Sequence, residues 1–384
     1  MILPRLLWMR FFQSANLLGV ILTLYYRDHG LNYVEIFSFE IILSLTMALG
    51  TVPLGVWADR HGRVAALKAA SLLLVGAALA FWAAHAYWQF AVSDALYGLG
   101  LAWQSGADTA LLARGGTAWF ARYEAAAAGA GLSSSLAAGW LLETHGMPIL
   151  VVLNVVTAIM AAAAILTLPA DLPQAPVRAP VRHATRALGA LRAAPWVLWW
   201  TLAGTIGFRL VGINLMFLDL PLWVRHGWQG IWLGVGVAIL YAAGWASLLS
   251  PAAERRLGPR AVLSLTQVAM GLLVAALPLL GSPWALTLAM AAALAFQSWQ
   301  RPLADAAITA AIPEPLRVSA LSMLDVPALA VTIVGEVGVG LMADAHLAWA
   351  LFGSGAVLLA STPLWWIRGE AVRARRHPPV ADSS

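Results

Sequence analysis

Long apolar stretches recur along nearly the whole chain, and they constrain its fold more than any other feature. A helix needs about 20 mostly apolar residues to cross a bilayer. The stretches do not alternate in polarity, so they predict helices rather than barrel strands. Hydrophobic residues make up 61% of the chain, more than a soluble domain could bury. The sequence predicts an all-α membrane protein whose twelve transmembrane spans lie at about 6–26, 33–57, 64–84, 87–112, 122–142, 148–168, 195–220, 231–252, 262–280, 284–310, 317–341 and 347–367.

Basic residues are distributed unevenly over the predicted loops, and this asymmetry sets the orientation of the chain. With the N-terminus in the cytoplasm, nineteen Lys and Arg residues fall on the inner side and only Arg27 and Arg225 fall outside. Both termini are therefore predicted to be cytoplasmic. The protein is predicted to lie in the plasma (inner) membrane, with its spans in contact with the lipid bilayer. The net charge of +5 follows from this topology, so no nucleic-acid partner is expected.

The two halves of the chain contain similar sequence segments at a nearly constant offset. Residues 26–30 resemble 224–227, residues 60–62 resemble 256–258, and residues 103–108 resemble 299–305, at offsets of 196 to 198 residues. The longest polar interruption, 169–194, contains four prolines and several arginines and is predicted to be a cytoplasmic linker. The predicted domains are a six-helix bundle at 1–168 and a second six-helix bundle with a short basic tail at 195–384.

A charged, glycine-containing segment lies between spans 2 and 3, where the chain reads GVWADRHGR from residue 55 to residue 63. It resembles the signature Gly-x-Leu-Ala-Asp-Arg-x-Gly-Arg-Arg/Lys of the major facilitator superfamily of secondary transporters. Trp57 replaces an aliphatic residue of the pattern, and Val64 replaces its final basic one. We expect a loop here, in which glycines allow a tight turn. The matching positions are Gly55, Ala58, Asp59, Arg60, Gly62 and Arg63.

The resemblance implies a fold of two pseudo-symmetric bundles that work by alternating access, with the 55–63 loop locking the cytoplasmic side. Asp59 would meet the start of the eleventh helix, and Arg60 or Arg63 would pair with Asp108. By symmetry Arg256 would pair with Asp305. The resemblance also implies a small-molecule substrate, a monomer, no catalytic residues and no bound cofactor, with a proton gradient as the energy source.

Ionisable residues inside membrane spans are costly and are functional candidates by default. Glu336 is the first candidate for proton coupling because few neighbouring residues in its span could solvate it, and Glu40 and Asp94 are the others. A structural ion pair is the alternative for each carboxylate. Arg209 is interpreted first as the partner of a membrane acid, and Arg301 could pair with Asp305 one helical turn later.

A substrate cavity is expected where spans 1, 4, 7 and 10 meet in this fold. Trp103 and Trp299 occupy equivalent places in the two halves and could face one cavity, where two indoles would stack on a ligand. Helix packing is the alternative for each. No metal site is predicted, because all eight histidines fall in loops or at span ends. The cavity candidates are Gln13, Asn16, Trp103, Gln104, Arg209, Asn214, Gln297, Trp299 and Arg301.

The leading hypothesis for function is an efflux-like permease that exports amphipathic compounds in exchange for protons. The alternative is proton-coupled uptake or export of one metabolite, such as a sugar, an amino acid or an organic anion. An intramembrane enzyme is disfavoured because the spans contain no serine-hydrolase or zinc-protease motif. A receptor is disfavoured because the tail is too short for a signalling domain. Subfamily, substrate, direction and the choice between proton and sodium stay open.

Overall fold

A computed structural model describes residues 2–15, 17–112, 116–169, 188–313 and 317–367, and these residues form helices and short connections without a strand. The regular helices follow one another through the chain with short turns between most of them. Their bounds are α1 Ile2–Ser14, α2 Leu22–Asp28, α3 Tyr33–His61, α4 Arg63–Trp82, α5 Tyr87–Leu112, α6 Gly116–His145, α7 Met147–Leu166, α8 Trp196–Gly207, α9 Asn214–Arg225, α10 Ile231–Ala243, α11 Ser250–Leu257, α12 Pro259–Ala276, α13 Pro283–Ala311, α14 Arg317–Ala345 and α15 Leu347–Ser361.

Each predicted span corresponds to one helix or to one interrupted helix. In the described part of the chain, nine helices are long and apolar enough to cross a membrane, and the bent pair α1 and α2 would make ten. The helices α5 and α13 do not pass this test. They occupy equivalent places in the two halves, and both carry polar side chains such as Asp94 and Gln300.

The internal repeat is visible in the helix boundaries. Arg63 and Pro259, which begin α4 and α12, are 196 residues apart, and Tyr87 and Pro283, which begin α5 and α13, have the same separation. Gly62 and Gly258 precede α4 and α12 with φ of 98° and 81°, a region that favours glycine. The two halves therefore repeat the same turn geometry as well as the same helices.

The first span of each half is irregular near mid-depth. The run from Ile2 to Val20 makes an angle of 51° with α2, and the six residues from Phe208 to Ile213 form a π-helix between α8 and α9. Such π segments occur often at functional sites. Thr23 in α2 donates a hydrogen bond of 2.9 Å to the carbonyl of Phe217 in α9, so the two irregular spans contact each other across the halves.

The halves pack together at one end of the molecule and have separate cores at the other. We call the end where α1 begins and α7 ends the termini side, and the opposite end the far side. On the far side one apolar cluster contains residues of both halves, including Phe37, Phe217 and Leu351. On the termini side the buried clusters stay within one half, residues 3–168 in one and 196–365 in the other. The described core thus joins the halves only on the far side.

One expectation about the connections needs correction. The segment 55–61 is not a loop, because α3 continues to His61 and only Gly62 makes the turn. At 29 residues, α3 is about 44 Å long and extends beyond the hydrocarbon core. The expected linker 169–194 lies mostly outside the described residues, as does the tail from residue 368.

Candidate functional site

An ion pair joins the two halves two turns below the far end of α3. Arg209, in the π segment, donates from Nη1 to the carboxylate of Glu40. Its Nη2 donates to the hydroxyl of Ser44 at 3.1 Å, and Ser44 donates to Glu40 at 3.4 Å. The pairing of Arg209 with a membrane acid is thus confirmed. Both charged side chains are mostly buried, at 19% and 15% exposure, which strengthens their attraction.

Glu336 lies beside this pair without bonding to it. Its side chain in α14 is 1% exposed, and neither carboxyl oxygen has a hydrogen-bond partner in the described part of the chain. Glu336 is close enough to interact electrostatically with both Glu40 and Arg209. Asp94 in α5 also interacts with Glu40. Glu40 therefore lies within electrostatic range of both other proton-coupling candidates, whereas Arg209 interacts with Glu40 and Glu336.

A cavity of about 440 Å³, the C-half cavity, opens beside Arg209. It is bounded by α3, α8, the π segment, α13 and α14, and Gln297 and Arg301 are among its lining residues, as expected. Hydroxyl groups are frequent on its wall, which carries Ser44, Thr51, Thr201, Thr205 and Thr332.

Two guanidinium groups flank the ring of Phe208 on the wall of this cavity. The Cζ atom of Arg209 lies 5.7 Å from the ring centroid, and that of Arg301 lies 5.4 Å away. Arg301 also forms the expected pair with Asp305, but Nε and Oδ2 are 3.8 Å apart and the side chains are 69% and 68% exposed. This loose pair leaves the Arg301 guanidinium accessible to a ligand in the cavity.

A second cavity of about 520 Å³, the N-half cavity, lies within the first six spans and is completed by Met216 and Tyr241 from the other half. Gln13 and Gln104 line it and bond to each other through both amides, at 3.1 and 2.9 Å. Asp94 lines this cavity as well. The sequence placed Gln13, Gln104, Arg209 and Arg301 at one cavity, whereas the structure divides them between two.

Three expected cavity residues line neither cavity. Trp103 packs edge-on against Trp57 at 5.0 Å, and Trp299 packs edge-on against Phe296 at 5.7 Å, in the separate termini-side cores of the two halves. The paired indoles therefore do not face one cavity, because helix packing takes up both rings. Asn214 is 1% exposed in α9 and also lies away from both cavities. Asn16 lies outside the described residues.

The expected gate on the termini side is described only in part. Asp108 is 9% exposed and accepts a hydrogen bond of 2.9 Å from the hydroxyl of Tyr123. Asp305 does not pair with Arg256 as symmetry suggested, because Arg301 on its own helix is nearer. Gly62 forms the turn, and Arg63 begins α4. The side chains of Asp59 and Arg60, and the surroundings of Gly55, lie outside the described residues.

Sequence reasoning missed Phe208 and the hydroxyl groups of the C-half cavity. Serine, threonine and phenylalanine are common in membrane helices, so a sequence pattern gives no sign of which of them face a cavity. The spacing of Thr201, Thr205, Phe208 and Arg209 along one helical face was the available signal. No cluster suited to a metal ion occurs among the described histidines and carboxylates.

Comparisons with solved structures identify the fold. A point mutant of the nucleoside transporter NupG superposes with a TM-score of 0.79 at 14% identity, covering 95% of this chain and 100% of that one. A bacterial homologue of the lysosomal transporter Spinster, solved inward-facing and unoccupied, gives 0.74 at 14% identity, covering 98% of each chain. A D-xylose–proton symporter gives 0.72 at 15% identity, covering 96% and 97%. At these identities the likeness establishes the fold alone.

Sequence comparison identifies the family. The search of curated proteins found no match. The sequence profile of the Major Facilitator Superfamily, however, matches residues 7–281, well over half of the chain. This match and the internal repeat agree with the signature at 55–63. The chain belongs to the Major Facilitator Superfamily and is a membrane transporter of small molecules, not an enzyme.

Proposed function

We propose that the chain is a proton-coupled secondary transporter of a small polar molecule, working by alternating access. The observation that carries the proposal is the Glu40–Arg209 pair between the halves, with the unpartnered carboxyl of Glu336 beside it. An ionised carboxylate buried without a partner costs several kcal/mol, and binding a proton removes most of this cost. Glu336 is therefore the proposed proton carrier.

The coupling works by exchange of partners around Arg209. In the structure Arg209 pairs with Glu40 of the opposite half, and Glu336 of its own half has no partner, which suits a protonated Glu336. When the halves separate on the far side, Glu40 moves away and Arg209 needs a new counter-charge. Release of the proton from Glu336 supplies it within the same half. One proton thus accompanies each passage between the two states.

The arrangement of the cores supports assigning this structure to the state that is open on the termini side. One shared core closes the far side, and two separate cores flank the termini side. The basic residues predict that both termini are cytoplasmic, so the state that is open on the termini side is the inward-open state. We propose that the monomer is the working unit and that the proton gradient drives it without a bound cofactor.

The C-half cavity is the proposed substrate site, and its wall favours a polar substrate. Its volume of about 440 Å³ lies within the usual range for small-molecule sites. Threonine and serine hydroxyls, Gln297 and the accessible guanidinium of Arg301 suit a molecule with hydroxyl groups and an anionic group such as a carboxylate or phosphate. This favours the metabolite alternative over the efflux of amphipathic compounds.

Efflux of amphipathic compounds remains the second candidate because of the N-half cavity. Bulky apolar side chains line part of its wall, among them Leu18, Leu22, Leu74, Phe81 and Met216. These side chains offer contact area to the apolar part of an amphipathic ligand. The two candidates therefore differ in which cavity holds the substrate.

A thermal-shift screen of the purified chain separates the two candidates. The panel contains sugars, nucleosides, amino acids, organic anions and lipophilic cations. Ligand at a hundred times its dissociation constant adds about 2.7 kcal/mol of stability, enough to move the melting curve. Stabilisation by one polar class, reduced by Arg301→Gln, supports the proposed substrate site. If many unrelated amphipathic compounds stabilise the chain and Arg301→Gln does not change this stabilisation, the proposed substrate site is contradicted.

Proton coupling is tested with the hit from the screen in proteoliposomes that contain a pH-sensitive dye. Substrate added outside should change the internal pH in the wild-type protein. Glu336→Gln should abolish that change while substrate binding persists. Glu254→Gln is the control, because it removes a carboxylate at the termini-side end of α11. Substrate-driven proton movement that survives in Glu336→Gln shows that the proton is carried elsewhere.

A further inference from the structure

Asp94 has no hydrogen bond or ion pair in the part of the chain that the structure describes, and its Oδ2 atom is shielded from solvent. It lines the N-half cavity, where it is the one acid among the described lining residues and Arg10 is the one base. Asp94 lies two turns from the far end of α5, whereas Arg10 lies in the termini-side half of the first span, and Tyr97 is close enough to interact electrostatically with both. The proposed mechanism, in which Arg209 pairs in turn with Glu40 and Glu336, does not involve Asp94.

The surroundings of Asp94 suit a cation. Tyr26, Phe81 and Tyr97 line the same cavity, and the Tyr26 and Phe81 rings are in contact with centroids 5.9 Å apart. Tyr97 follows Asp94 by one helical turn and is close enough to interact with it electrostatically. A carboxylate combined with aromatic faces is the arrangement that holds organic ammonium ions, through charge and cation–π attraction.

We infer that the N-half cavity binds a small organic ammonium ion, with its nitrogen at Asp94 and its apolar part against Tyr26, Phe81 and Tyr97. The inference rests on the proposed transport function and adds a chemical class of ligand to the second cavity. The hydrogen-bonded amides of Gln13 and Gln104 line the cavity closer to the termini side. Because these amides bond to each other, they compete less with Asp94 for a ligand.

The test measures binding of alkyl- and arylammonium ions, each compared with the alcohol in which a hydroxyl replaces the amine. Calorimetry on the purified full chain should detect the ammonium ions and not the alcohols. Asp94→Asn should weaken ammonium binding at least tenfold, whereas Asp305→Asn, which removes a carboxylate from the other cavity, should leave it unchanged. Equal binding of amines and alcohols, absence of ammonium binding, or tight binding by Asp94→Asn overturns the inference.

The comparison of amines with alcohols uses only the wild-type protein, so it stands even where a variant fails to fold. Glu336→Gln separates this inference from the proposed function. If Glu336→Gln still binds ammonium ions but no longer moves protons, both the ammonium site and the proposed proton coupling are supported. Proton movement that depends on Glu336 in a protein that binds no ammonium ion removes this inference alone.

An independent observation concerns the far side, where two carboxylates bridge the halves in the same way. Asp344, near the end of α14, accepts hydrogen bonds from the backbone N–H groups of Tyr33 and Val34 at 2.7 and 3.1 Å. Glu143, near the end of α6, accepts one from the N–H of Ile231 at 3.2 Å. Each acid thus caps the first turn of a helix in the opposite half, where the helix dipole attracts negative charge.

Both acids follow a glycine by four residues, and both motifs repeat at an offset of 201, Gly139 with Glu143 and Gly340 with Asp344. A Cβ on Gly139 would lie 2.9 Å from the Cα of Gly234, and a Cβ on Gly340 would lie 2.9 Å from the Cα of Val34. The glycine therefore lets the helices of the two halves touch, and the acid one turn later caps the partner helix.

We infer that these two Gly-x-x-x-acid elements form a far-side latch that holds the present state and opens once in each transport cycle. Both acids are exposed to solvent, so the bonds are weak enough to break. The sequence contains no cysteine, so Asp28→Cys and Arg225→Cys place spin labels at the far ends of α2 and α9 without background labelling. Pulsed dipolar spectroscopy then reports how far the two halves are separated there.

Asp344→Ala and Glu143→Ala should each raise the ratio of far-open to far-closed molecules about fivefold, the effect of losing one helix cap. Glu35→Ala is the matched control, because Glu35 bonds to the N–H of Asn32 at the same helix end but within one half. It should leave the ratio unchanged. Distance distributions that do not change in either latch variant, or that change as much in Glu35→Ala, overturn the latch.

Discussion

Neutralising Glu40 should release the halves from each other, because its partner Arg209 belongs to the opposite half. Two unit charges 4 Å apart attract by about 4 kcal/mol at an effective dielectric constant of 20. The side chains of Arg209 and Glu40 are 19% and 15% exposed. The free-energy cost of removing these charges from water offsets part of the attraction. We therefore expect a coupling free energy of about 2 kcal/mol, equivalent to a roughly 30-fold change in the equilibrium between states.

A double-mutant cycle measures this coupling directly. The four proteins are the wild type, Glu40→Gln, Arg209→Gln and the double variant, each labelled at positions 28 and 225 for distance measurement. Each single variant should raise the far-open population, because it leaves one buried charge without its partner. The double variant should show a smaller effect than the two single effects combined, by about 2 kcal/mol.

Arg301→Gln is the control for this cycle, because the Arg301 guanidinium pairs with Asp305 and lies beside the ring of Phe208, both in its own half. It should leave the far-side distances unchanged. Strict additivity of Glu40→Gln and Arg209→Gln would refute the reasoning, since it would show that the two charges do not stabilise this state through each other. The exchange of partners around Arg209 would then lose its energetic basis.

Three further predictions concern single side chains. Glu336→Gln mimics the protonated carboxyl and should raise the far-closed population in the same distance measurement, whereas a shift toward far-open molecules would contradict the partner exchange. Asp59→Asn should slow proteoliposome transport and leave substrate binding intact, as the resemblance to the family signature implies, and full transport in that variant would exclude a gating role. Gln300→Leu should lower the free energy of unfolding by about 1–3 kcal/mol, because it leaves the buried Oε1 of Gln267 without its 2.8 Å hydrogen bond. A free energy of unfolding, measured with denaturant, that equals the wild-type value would contradict this.

The sequence alone predicted the spans and the repeat because both depend on local properties. Apolar runs of bilayer length specify helices wherever they occur, and glycine at positions 62 and 258 specifies a turn by its conformational freedom. The pairing of Arg301 with Asp305 follows from helical spacing alone. These features need no knowledge of how the helices are arranged.

The site required tertiary structure because its partners are far apart in the chain. Glu40 and Arg209 are separated by 169 residues, and no local pattern specifies which acid meets which arginine. Symmetry misled the reasoning for Asp305, which pairs with Arg301 rather than Arg256. The two halves also differ at equivalent glutamines: Gln104 pairs with the first span of its half, whereas Gln300 pairs with Gln267 in the ninth. A repeat thus predicts backbone positions better than it predicts side-chain partners.

The polarity of α5 and α13 has a consequence for how the protein enters the membrane during synthesis. Polar side chains reduce the tendency of a helix to partition from the translocon into lipid. Each of these helices directly follows an apolar one, α4 or α12, with mean hydropathies of 2.1 and 2.0 in their most apolar segments. We expect α4 with α5, and α12 with α13, to insert as hairpins, so that the helices that line the cavities depend on their apolar neighbours for integration.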